Sequence, residues 1–143
     1  MRQIVGYAAL FDSESVNLGG FTEQIQRGAF SESIKHDDIR LLWNHDQNYV
    51  LARNKSKTLS LEEDSKGLKY RATPPDAQWA KDLMKSIERG DINQNSFGFT
   101  IERERWVRRS SGTMRILEQC RLHDVSPCTF PAYEGTQVWL EGY

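Results

Sequence analysis

Cysteine, proline, net charge and long apolar runs are all scarce in this chain, and each shortage narrows what it can be. Its 143 residues hold only two cysteines, Cys120 and Cys128, too few for the disulfide framework of a small secreted scaffold. Both stand in apolar, strand-like surroundings and read as reduced core residues. Proline numbers four, and neither a low-complexity linker nor an internal repeat divides the sequence, so one domain over residues 1–143 is expected. A formal net charge of −1 and a pI near 6.3 give no electrostatic basis for binding nucleic acid or an anionic membrane. No apolar run approaches the roughly 20 residues that span a bilayer. The start, Met1 to Gly6, lacks the charged-then-apolar plan of a signal peptide. A soluble intracellular protein is the expectation.

Several chemistries are missing as well. There is no Gly-x-Ser-x-Gly elbow of the α/β-hydrolase kind. The Leu18-Gly19-Gly20 stretch has neither the Walker lysine nor the dinucleotide spacing. His36, His45 and His123, taken with the two cysteines, show no metal-ligand spacing. Neither metal nor cofactor is expected. A thiol enzyme built on Cys120 and His45 lacks any visible activating environment for the cysteine.

What is present is mostly strand. Gln3 to Phe11 is β-branched and aromatic. Asp12 to Phe21 is turn-rich, and Phe21 to Ile34 has spacings compatible with short helical turns interrupted at Gly28. Ile39 to Trp43 reads as a short strand ending at Asn44-His45-Asp46. Leu59 and Leu61, then Leu68, Tyr70 and Ala72, alternate on either side of a turn and predict a hairpin. Thr73 to Pro75 breaks the sheet. A helix follows, with Asp76 as N-cap, a stripe of Trp79, Ala80, Leu83, Met84 and Ile87, and Gly90 at its end; Trp79 and Met84 serve as core anchors. Gln94 to Glu104 alternates, with Ser96, Gly98, Thr100 and Glu102 on one face and Phe97, Phe99 and Ile101 on the other. Ser110 to Gly112 turns the chain into a long strand from Met114 to Ser126. Pro127 to Glu134 is irregular, and Trp139 and Leu140 form a last short element. One clear helix after a hairpin argues for a mainly β, α+β fold with a mostly antiparallel sheet or barrel and one or two packed helices.

Two residues carry candidate chemistry. Ser96 points away from the face of Phe97 and Phe99, towards solvent or a groove, and Gly98 would leave room beside it for a substrate backbone. His45 ends a strand in polar company. A serine hydroxyl needs a base within hydrogen-bond reach, and imidazole suits that task. A carboxylate to orient the ring is sought next. Asp124, in the Leu122 to Pro127 segment, is the leading candidate and His123 the alternative; by alternation only one of them faces His45. Asp46 is a poor orienter, because neighbours along an extended chain point apart. The oxyanion site is open among Arg103, Arg105 and backbone N–H groups.

The ordered motifs resemble the prohead (procapsid) maturation proteases of tailed phages, a family of serine proteases. The matching pieces are Val5-Gly-Tyr-Ala-Ala9, Leu18-Gly-Gly-Phe21 with Arg27-Gly-Ala-Phe30, and Leu42-Trp-Asn-His-Asp46. They continue with Thr58-Leu-Ser-Leu-Glu-Glu-Asp64, then Arg89-Gly-Asp-Ile92 leading into Ser96-Phe-Gly-Phe99. Asp124-Val-Ser-Pro127 with Thr129-Phe-Pro-Ala-Tyr133 completes the set.

The resemblance implies a fold like the herpesvirus assembly protease, an antiparallel β-barrel wrapped by a few helices. It puts the family's histidine on His45, its nucleophile on Ser96 and its acidic member on Asp124. It implies a serine endopeptidase in the host cytoplasm, inside the procapsid. Its substrates would be scaffolding protein, a scaffold segment of the major capsid protein, and the protease itself. A homodimer or higher oligomer would fit the herpesvirus analogy; neither nucleic acid nor membrane is an expected partner. Two competing readings are a catalytically silent capsid assembly or scaffold protein of the same fold, and a small binding module using the Arg103 to Arg109 patch on nucleic acid.

Overall fold

The structure is a computed structural model that describes residues 2–142. Nine strands and two helices run in the order β1 (Gln3–Leu10), β2 (Phe21–Ile25), α1 (Ser31–His36), β3 (Arg40–Trp43), β4 (Asp46–Arg53), β5 (Leu59–Glu63), β6 (Gly67–Ala72), α2 (Gln78–Arg89), β7 (Gln94–Arg109), β8 (Gly112–Cys128) and β9 (Gln137–Glu141). The fold is therefore mainly β. No closed barrel is found among the described residues, in contrast to the architecture the resemblance implies. The strands form one sheet of order β5-β6-β1-β9 and a second in which β2, β3, β4 and β7 assemble around β8.

The reason for this arrangement lies in β8, which is 17 residues long. One of its edges pairs antiparallel with β7 along most of its length. Its other edge is shared: β2 pairs parallel with the stretch from Thr113 to Leu117, and β3 pairs parallel with Asp124 and Val125. Between those ladders, Cys120 N–H donates to the Ala29 carbonyl and Leu122 N–H to the Ser33 hydroxyl. The buried Ser33 side chain at α1 thus does what a strand would do, and the edge keeps its partners through the gap.

The expected hairpin of β5 and β6 is present, with Leu59 opposite Ala72 and Leu61 opposite Tyr70. The amphipathic helix is present as α2, which buries Ala80, Leu83 and Ile87 and ends on Gly90 at φ 84°. Its N-cap, however, is Ala77 in extended conformation. Asp76 sits one residue too early to reach the first free amides and pairs with Lys81 at 2.9 Å instead. The helical turns expected from Phe21 to Ile34 are a second correction, since Phe21–Ile25 is a strand and only Ser31–His36 is helical. Phe21 and Ile25 are four apart, a spacing that a helix face and a strand face both satisfy. The residue between them on the strand face is Glu23, whose charge conceals the alternation. Glu23 is buried, clasped by the Arg115 guanidinium and by Tyr133 Oη at 2.9 Å. Residues 46–53, for which the sequence pattern made no prediction, form β4.

The core lies between the sheets and gathers Ile4, Leu68, Tyr70, Leu117 and Leu122 from both, with Leu83 from α2. Trp79 and Met84 pack against it while only partly buried, as expected of anchors. No ladder joins the two sheets among the described residues, but Asn95 ties them together. Fully buried on β7, it accepts from Tyr70 Oη at 2.6 Å and donates from Nδ2 to the carbonyls of Tyr7 (3.0 Å) and Gln137 (2.6 Å). Every polar atom of that amide is thereby satisfied, as burial demands.

Candidate active site

Ser96 stands between two inward anchors on β7. Asn95 holds one side, and Phe97 the other, buried against Phe30 at 5.4 Å and Phe99 at 4.8 Å between ring centroids. With both neighbours fixed inward, strand alternation turns Ser96 outward, where it is half-buried. The sheet register sets Ser96 opposite Ser126 and Gly98 opposite Asp124. Ser96, Gly98, Asp124 and Ser126 therefore share one face.

His45 reaches that face from the turn between β3 and β4. Trp43 pairs with Asp46, and the two residues between them, Asn44 (φ 55°) and His45 (φ 58°), are both left-handed. That is the two-residue primed hairpin whose twist matches its strands. Asn44 is among the few residues that adopt this conformation readily, and its Oδ1 also accepts from Thr129 N–H at 3.0 Å. The turn is pinned to β8 twice more: Asn44 N–H donates to the Pro127 carbonyl, and His45 N–H to Ser126 Oγ at 3.2 Å.

So held, the imidazole meets Asp124. The His45 Nδ1 to Asp124 Oδ2 distance is 2.6 Å, and Ser126 Oγ donates to the same oxygen at 2.7 Å. This hydrogen bond outweighs partial desolvation and raises the His45 pKa above its ordinary 6.5. Facing a carboxylate, Nδ1 is the nitrogen placed to donate, and Nε2, without a partner among the described residues, is left as the basic atom. Ser96 is diagonal to Asp124 across the ladder, a spacing of roughly 7–8 Å. Among the described residues Ser96 Oγ makes no hydrogen bond, and in unliganded enzymes such contacts commonly tighten only when substrate arrives.

His123 does not reach His45; its Nε2 lies 2.6 Å from Thr100 Oγ1. Of the two orienting candidates, the geometry brings only Asp124 to His45. Asp46 is turned into its own loop, accepting from Asn48 N–H. Gly98 has a different purpose from the one expected: a Cβ there would lie 2.2 Å from Asp124 Oδ1, so the glycine seats the carboxylate and leaves no space for a substrate backbone. Arg103 and Arg105 are ruled out as oxyanion groups. They lie at least seven residues along β7 from Ser96, about 20 Å at strand rise, and pair with Glu118 at 3.8 and 3.5 Å. Arg109 is likewise engaged, by Glu14 at 2.7 Å. Burial pushes the Cys120 thiol up to about 12 and the Cys128 thiol up to about 11, so neither supplies a thiolate near neutrality. Sequence reasoning missed Ser126 and Asn44. The signal for Ser126 was its position two residues beyond Asp124, which puts it on the same face of β8.

A search among curated proteins gives no significant match. A family model described as the caudovirus prohead serine protease matches residues 1–142. With a match over that length, the chain belongs to the caudovirus prohead serine protease family.

Proposed function

We propose that this chain is a serine endopeptidase of phage head maturation in which Ser96 is the nucleophile, His45 the general base and Asp124 the residue that orients the base. The observation that carries this reading is the 2.6 Å bond between His45 Nδ1 and Asp124 Oδ2, made on the sheet face that also bears Ser96. Its substrates are the scaffolding protein or a scaffold segment of the major capsid protein, and the protease itself, inside the procapsid. The resemblance extends this reading to a kinship of the fold with the herpesvirus assembly protease.

The chemistry follows from the protonation state of His45. Nε2 takes the Ser96 proton as Oγ attacks the scissile carbonyl, and the imidazolium then donates that proton to the departing amine. Water, deprotonated by the same nitrogen, attacks the acyl-enzyme, and the imidazolium returns that proton to the departing Ser96 Oγ. Asp124 holds the tautomer and stabilises the transient imidazolium. Ser126 fixes Asp124 in turn and, through the His45 amide, the turn that carries the ring.

Co-expression with the phage's capsid and scaffold proteins, read by intact mass, tests the assignment. Defined fragments that vanish with Ser96→Ala are expected. Fragments persisting in that variant would reassign the nucleophile, and unchanged masses with both chains would favour the catalytically silent assembly role.

A further inference from the structure

We infer that the cavity bounded by Arg40, Leu42, Gln47, Val50, His123 and Asp124 is a specificity pocket that takes a carboxylate-bearing side chain of the substrate, glutamate above all. The inference rests on the endopeptidase reading and adds the substrate class. The cavity, about 420 Å³, opens beside the candidate site. Arg40 is opposite Asp124 in the parallel ladder, and Val50 is opposite Leu42 in the antiparallel one. One wall is thus Asp124 itself, and the rest continues across β3 and β4 from the face that bears Ser96. Two strand spacings, about 10 Å, separate β3 from β7. A substrate residue within two positions of the scissile bond covers that distance with an extended backbone and a side chain.

The lining has two characters. Leu42 is buried and Val50 is 38% exposed, which makes an apolar flank for methylene groups. Arg40 supplies the polar end, and its guanidinium makes an ion pair without a close hydrogen bond. Its ion-pair partner is Asp38 at 3.4 Å, but Asp38 is already gripped by both arms of Arg53, at 2.8 and 2.5 Å. Among the described residues the Arg40 guanidinium donates no hydrogen bond. A planar guanidinium with its donors free recognises a carboxylate in two-pronged fashion. Asp124, the acid in the wall, takes none of the Arg40 donors: its Oδ2 is occupied by His45 and Ser126, and its Oδ1 is packed against Gly98. A short apolar stem with an anionic tip fits this lining, and a lysine would set its charge against Arg40.

The test has a binding arm and a cleavage arm. For binding, the Ser96→Ala chain is titrated with three capped hexapeptides, Ala-Ala-Leu-Glu-Ala-Ala and its Gln and Lys counterparts, following the methyl resonances of Leu42 and Val50. The Glu peptide should bind about fivefold to tenfold more tightly than the Gln peptide, the advantage of a charge-assisted bond over a neutral one. Arg40→Gln should abolish that preference, Arg40→Lys should keep part of it, and Arg40→Glu should turn it towards the Lys peptide. For cleavage, the unaltered chain is given a capped decapeptide library randomised at its central positions, and enrichment of Glu near the cut, lost with Arg40→Gln, is expected. Equal affinities for the three peptides, or a Glu preference that survives Arg40→Gln, would overturn the pocket. Ser96-dependent cleavage without acidic preference would also remove it, while the endopeptidase reading stands. Glu-selective, Arg40-dependent binding with no Ser96-dependent cleavage would support the pocket and sink that reading.

Discussion

Replacing Gly98 by alanine is expected to disable the site by moving a residue on another strand. Gly98 has no unusual backbone requirement, so an added methyl meets only what faces it. That is Asp124, with Oδ1 2.2 Å and Cγ 3.3 Å from the new Cβ. Carbon–oxygen contacts under 3.0 Å are essentially never seen, so the carboxylate must withdraw by about 0.8 Å. It cannot withdraw freely, because the same group is bound to His45 at 2.6 Å and to Ser126 at 2.7 Å. A misplacement of about 1 Å can lower turnover by about 10²-fold, and full loss of an orienting carboxylate in the Ser-His-Asp template lowers it by about 10⁴-fold. The fall in kcat should lie between those limits, with KM little altered, and overpacking should lower stability by about 1–3 kcal/mol. Steady-state cleavage of a substrate shown to be cut by Ser96, alongside urea unfolding, provides both numbers. A double-mutant cycle isolates the cause: in an Asp124→Ala background the Gly98→Ala change should lower kcat no further. Wild-type turnover in Gly98→Ala, or strictly additive losses in the double variant, would refute the reasoning.

Four further outcomes are expected. The kcat/KM profile should rise with pH through an apparent pKa above 6.5, since only neutral His45 is a base, and Asp124→Asn should move that limb to lower pH. The His45 pKa is raised in the folded state, so its contribution to stability is fully present below about 6.5 and is lost as pH rises through the folded value. Thermal unfolding from pH 5.5 to 9, repeated on Asp124→Asn, reads this contribution as a pH-dependent difference that shrinks in the variant. Asn44→Ala should destabilise by about 1–2 kcal/mol for a left-handed residue, with a further loss from the Thr129 bond; Asn44→Gly in urea unfolding should recover the first part but not the second. Glu23→Ala should cost about 3–5 kcal/mol in the same assay, because Arg115 and Tyr133 lose a buried partner.

Local patterns were the legible part of this protein. The β5–β6 hairpin, α2 and the outward face of Ser96 all follow from periodicities within a dozen residues. Features set by distant residues were not legible. Glu23 made β2 look unlike a strand, and its buried partners Arg115 and Tyr133 lie 92 and 110 positions away. β4 begins with the exposed Gln47, Asn48 and Tyr49, so only its second half looks apolar. Alternation reduced the orienting residue to His123 or Asp124, and the choice depended on how the Asn44-His45 turn docks against Pro127 and Ser126. The purpose of Gly98 was misread for the same reason, since the group that needs its missing side chain sits on the facing strand.

The shared edge of β8 also has a consequence for timing. His45 and Asp124 are 79 residues apart in sequence, and synthesis at about 5–20 residues per second separates their appearance by several seconds. Throughout that interval β2, α1 and β3 exist without the strand that pairs them. On the proposed assignment, His45 then has no carboxylate to hold its tautomer, and Ser96 has no facing strand. On that assignment a growing chain is inert towards its neighbours on the ribosome, and competence arrives with the strand that completes the sheet.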